Sequence, residues 1–97
     1  MSADPIARAR DAIDRVDAAL VSLVAERVRL AEALGAVKRA GALPLVDVSQ
    51  EQEVLRRAAE RASAAGLAPE PVVELFRALI AMARRAQGSE PDGGAAS

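Results

Sequence analysis

Two cations interrupt an apolar series in the stretch VAERVRLAEALGAVKRAG, residues 24–41. Arg27 falls at the seven-residue step between Leu20 and Leu34, and Lys38 follows it eleven residues on. Eleven residues make three helical turns to within ~20°. Both side chains therefore point the same way, with Leu34 between them and their Cα atoms ~16 Å apart. Buried charge of this kind is costly unless something opposite pairs with it. Two more polar residues share the pattern: Glu51 heads the series Leu55, Ala58 and Ala62, and Gln87 extends the series Val73, Phe76, Ile80 and Ala83. The set has cations in excess, so a buried site built from it takes an anion. Plainer readings exist for each residue. Long cations snorkel to water, a first-turn carboxylate is favoured by the helix dipole, a terminal glutamine can be a solvated end, and a Glu51–Lys38 ion pair is an ordinary structural contact. The pattern alone leaves two readings open, a small-anion site and a helical dimerisation module.

Composition narrows the chemistry. The chain has 97 residues with no histidine and no cysteine. The commonest general base, the commonest metal ligand, thiolate nucleophiles and disulfides are all excluded. Any catalysis must run through Arg, Lys, carboxylates, amides and hydroxyls, and no metal or cofactor is expected. A net charge of -1 argues against a general nucleic-acid binder. The N-terminal MSADPIARARD has no apolar core of a targeting signal and no long apolar span follows, so a cytoplasmic chain without a membrane partner is expected.

The elements that must position these residues are helices, and the fold class is all-α. Asp4 and Pro5 suit an N-cap and first turn, and the periodic pattern runs to Ala40. Ile6, Ile13, Leu20 and Leu34, interleaved with Val16, Leu23, Leu30 and Val37, form a heptad-like seam on a helix ~50 Å long. The two shorter helices cannot cover so long a seam, so a second copy of the chain is expected to do so. Gly41 and Pro44 open a loop. A second helix is expected over about 50–65, capped by a Ser49–Gln52 box or by Asp47, and Gly66 stops it. A third begins at Pro69. Hydrophobic residues make up 52% of the chain, but many are alanine and Phe76 is the lone aromatic. Such a core is thin, which also favours oligomerisation. Residues 1–87 read as one domain, and the tail 88–97, GSEPDGGAAS, as disordered.

With these residues in place, the sequence resembles the all-helical, AroQ-type chorismate mutases. The resemblance covers nearly all of residues 6–87 and rests on RDAIDRVDAALVSLVAERVRLAEALGAVK, PLVDVSQEQEVL and GL…VVELFRALIAMARRAQ. It implies an intertwined homodimer of three-helix chains with two shared active sites. It further implies the Claisen rearrangement of chorismate to prephenate, a pericyclic step that needs neither nucleophile nor proton transfer. Arg10 from the partner chain and Arg27 would bind the two carboxylates of the substrate. Lys38 and Gln87 would donate to the ether oxygen, and Glu51 would accept from the ring hydroxyl, helped by backbone around Asp47 and Gln50. Spacing agrees on one point: Arg10 lies ~25 Å from Arg27 along the helix and ~100° off its face, beyond reach of a shared small ligand within one straight helix. Two positions depart from the family pattern, Gln50 where many members have arginine and Ala83 where many have serine. The rivals are a 4-amino-4-deoxychorismate mutase, an isochorismate–pyruvate lyase and a non-catalytic helical dimer.

Overall fold

The computed structural model describes residues 4–88, and the tail assigned to 88–97 lies outside this range except for Gly88. Three helices follow in order, α1 Pro5–Ala40, α2 Val48–Ala64 and α3 Pro69–Gln87. The first begins as its sequence demands. The Asp4 side chain accepts from the Ile6 N–H at 3.0 Å, with Pro5 behind it in the first turn.

The ends of α1 and α2 are built alike. After α1, Ala42 N–H donates to the Arg39 carbonyl and Leu43 N–H to the Lys38 carbonyl; after α2, Gly66 and Leu67 donate to Ser63 and Ala62. This is the paired termination in which one residue turns left-handed. Gly66 adopts φ 79 there without strain, whereas Ala42 adopts φ 55, a conformation that costs an L-residue roughly 1–2 kcal/mol. Gly41 stands one position too early to take that role.

Helix α2 starts two residues ahead of the sequence expectation. Asp47 is its cap, accepting from the Gln50 N–H at 3.1 Å. Ser49 thus falls inside the first turn and no Ser49–Gln52 box forms. The Asp47 carboxylate takes the Gln50 amide, and the helix has already begun by Ser49.

The third helix joins the other two. It packs on both α1 and α2, while α1 and α2 do not contact each other among the described residues. Glu51, early in α2, meets Arg84, late in α3, so these two run antiparallel. Arg27 lies near Phe76 and Ala31 near Gln87, so α3 runs in the same sense as α1. The buried apolar core is small: Ala58 and Ala62. Gly35 is the buried residue of α1. A glycine inside a helix costs roughly 0.5–1 kcal/mol relative to alanine, so its presence there calls for a packing reason.

The long seam of α1 finds no cover among the described residues. Ile6, Ile13, Val16, Leu20, Leu23, Leu30, Leu34 and Val37 are each at least half exposed. A different strip of the same helix, Val24, Arg27, Val28, Ala31, Gly35 and Lys38, is the one turned inward.

Candidate active site

Because α1 and α2 stand apart with α3 behind them, a cleft of about 260 Å³ opens between them. Its walls bring together Arg27, Lys38, Asp47, Gln50, Glu51, Ala83 and Gln87, all singled out from the sequence, with Leu30, Leu34, Leu45, Val54 and Ile80 as apolar lining. Arg10 is not among these residues. It is exposed on the N-terminal half of α1.

Each polar group arrives by its own route. Arg27 is half-buried on the inner strip of α1, and its guanidinium carbon lies 5.9 Å from the centre of the Phe76 ring. The ring face attracts the cation and fixes its stem against α3. Lys38, in the last turn of α1, donates from Nζ to the Leu45 carbonyl at 3.0 Å. That bond straps the 41–47 loop onto the helix and leaves two of the three ammonium donors for a ligand. The plainer reading, a Lys38–Glu51 pair, does not form.

Glu51 pairs instead with Arg84. The guanidinium meets the carboxylate in a two-pronged contact, Nη2 to Oε1 at 2.5 Å and Nε to Oε2 at 2.8 Å, with both side chains largely shielded from water. Planar forks of this kind fix both partners. Sequence reasoning passed over Arg84. A signal was present, since it continues the four-residue steps Phe76 and Ile80.

Gln87 is the buried polar residue among those described, 8% exposed at the last position of α3. It is no frayed end. Its Nε2 donates to the Ala31 carbonyl at 3.2 Å, and its main-chain carbonyl accepts from Arg39 at 2.7 Å. Asp47 and Gln50 sit at the exposed rim, where the Gln50 N–H is already taken up by the Asp47 carboxylate. Ala83 presents a methyl group and no hydrogen-bonding atom. Among the described residues no group of three or more acidic side chains is placed to hold a metal ion. None of their helices is long and apolar enough to cross a membrane.

Fold and cleft together define an all-helical domain with a small pocket lined by Arg27, Lys38 and Arg84 beside Asp47 and Glu51. Residues 9–88 match the chorismate mutase type II family, and the chain belongs to that family of isomerases. It is also 34% identical over 85 residues to the T-protein of Enterobacter agglomerans. That alignment takes in 88% of this chain and 22% of the T-protein, so the chain spans under a quarter of its relative's length.

Proposed function

We propose that this chain rearranges chorismate to prephenate, the step that leads toward phenylalanine and tyrosine, without metal or cofactor. One observation carries the reading: Arg27, Lys38, Glu51 and Gln87, drawn from three helices, line one small cleft. Catalysis there rests on holding a flexible dicarboxylate in a compact conformer and on donors fixed where charge grows. As the C–O bond breaks and the new C–C bond forms, negative charge develops on the ether oxygen. Lys38 and Gln87 donate to that oxygen and favour the transition state over the ground state. Arg27 takes one carboxylate. Asp47 and Gln50 border the mouth, and Ala83 contributes shape alone.

The reading includes an intertwined homodimer. The part of the α1 seam outside the cleft, from Ile6 to Leu23, is the surface a second copy would cover, and Arg10 of that copy would supply the second carboxylate-binding guanidinium. The 4-amino substrate fits less well. Arg84 already neutralises Glu51 through both oxygens. A neutral hydroxyl can still donate to a carboxylate lone pair, whereas an ammonium would meet a guanidinium as well as the carboxylate.

The test is turnover of chorismate and 4-amino-4-deoxychorismate, side by side, by purified protein in the presence of a chelator. Prephenate formation, with the amino analogue at least tenfold slower in kcat/KM, is expected on the rule that unmatched polar groups decide pocket specificity. Absence of turnover for both would sink the mutase reading, and a preference for the amine would reverse the assignment of substrate.

A further inference from the structure

We infer that Ala31, Gly35 and Arg39 form a cradle on α1 that presents one N–H of the Gln87 side chain to the cleft. Gly35 and Arg39 are then positioning residues for the reaction proposed above. The three lie four residues apart along one ridge of the helix. Each holds a different part of Gln87. The Ala31 carbonyl accepts from Nε2 at 3.2 Å. Arg39 Nη1 donates to the Gln87 main-chain carbonyl at 2.7 Å. Gly35 leaves room for the stem: a Cβ at this position would stand 2.9 Å from Gln87 Cγ, 3.2 Å from its Cβ and 3.4 Å from its Cα.

This arrangement settles which end of the amide a ligand meets. Turned over, Oε1 would face the Ala31 carbonyl, two acceptors with no proton between them. As it stands, one of the two Nε2 protons is on Ala31 and the other remains for the cleft that Gln87 lines. A donor fixed in advance needs no reorganisation when charge develops beside it. The glycine makes the approach possible. A methyl group at position 35 would crowd Gln87 at Cβ as well as at Cγ, and Cβ moves only with the end of α3. Nε2 would then withdraw from Ala31.

The proposed reaction enters here as the use to which the donor is put; the positioning can be read without turnover. The chain has three glutamines, Gln50, Gln52 and Gln87, and no asparagine, so an amide-resolved NMR spectrum contains three side-chain NH₂ pairs. Gln87→Ala identifies its pair. One Gln87 proton is expected to exchange with water more slowly than those of Gln50 and Gln52, which are exposed on α2. In Gly35→Ala that protection should vanish, with kcat lower by about tenfold or more and KM within about threefold. Added to Gln87→Ala, it should change kcat by less than about twofold, because the group it positions is already gone. Arg39→Met leaves the glycine in place and should act the same way more weakly, by about threefold in kcat. It decides the matter if Gly35→Ala does not fold. An unprotected Gln87 amide in the unmodified protein, protection that survives the substitutions, or losses that multiply in the double variants would overturn the cradle. An unmodified protein that turns over neither substrate defeats the proposed function instead, and the exchange measurement still judges the cradle.

Discussion

Between Val24 and Lys38, α1 presents α3 with a strip of half-buried residues that ends in the cradle around Gln87. Between Arg8 and Leu23 the same helix carries aliphatic residues at the same spacing, yet every residue there is exposed. The charges follow this division. Arg27 rests on the Phe76 ring and Lys38 is tied to the Leu45 carbonyl, whereas Arg10 stands on the bare half. Most burial needed to hold a cation in place is supplied by α3 over one half of α1 and, among the described residues, by nothing over the other. One half of the helix therefore completes its own part of the cleft, and in the proposed dimer the other half would complete the partner's.

That contrast can be broken most sharply at Lys38. Lys38→Ala should lower kcat by about 10²–10³, the usual cost of losing one donor at a developing oxyanion, with oligomeric state unchanged in sedimentation. Unfolding or dissociation would place Lys38 among the structural residues and erase the distinction. A milder effect is expected from mixing two inactive chains, Arg10→Ala and Lys38→Ala. Each mixed dimer regains one intact site of two, and half the dimers are mixed, so about one quarter of the original activity should return. No recovery would mean that the bare half does not serve a partner's site.

The smallest effect concerns charges on neither half. On the outer face of α2, Arg56 bridges Glu53 and Glu60, and Arg57 also reaches Glu53. The hydrogen bond from Arg56 holds the Glu53 carboxyl below its ordinary value of 4.5. A carboxyl depressed on folding contributes stability that is complete above 4.5 and lost as pH falls through the lower folded value. Exposed pairs contribute little. Glu53→Gln should therefore leave thermal stability nearly unchanged at pH 7 and slightly flatten its decline below pH 4.5. A large drop at neutral pH would show that the outer pairs matter as much as the cleft pair of Glu51 and Arg84.

Much of this was legible in residue order, because helix period, caps and stops are local. The span of α1, the start of α3 at Pro69 and the inward placing of Ala58, Ala62 and Phe76 all follow from spacings of a few residues. The cap of α2 was a contest between two neighbours that order alone left undecided. Contacts between helices were not legible in the same way. The partner of Glu51 lies 33 residues away and that of Arg39 lies 48 away. Such pairings depend on where α3 crosses the other helices, which no periodicity encodes. Gly35 illustrates the gap. Its residue type signals a local cost, and the reason for that cost is visible once Gln87 is set against it.

Anchoring a 36-residue helix over only one of its halves also makes it a lever. From Gly35 to Arg10 the arm is ~38 Å at 1.5 Å per residue. A tilt of roughly 2° at the α3 contact would swing the far guanidinium by ~1.3 Å, a displacement of the size that can cost a hundredfold in rate. In the proposed dimer, two such arms would steady each other along their full length. The accuracy of each distant arginine would then be a property of the pair of rods, and any substitution that loosens their mutual grip should misplace Arg10 well before it unfolds either chain.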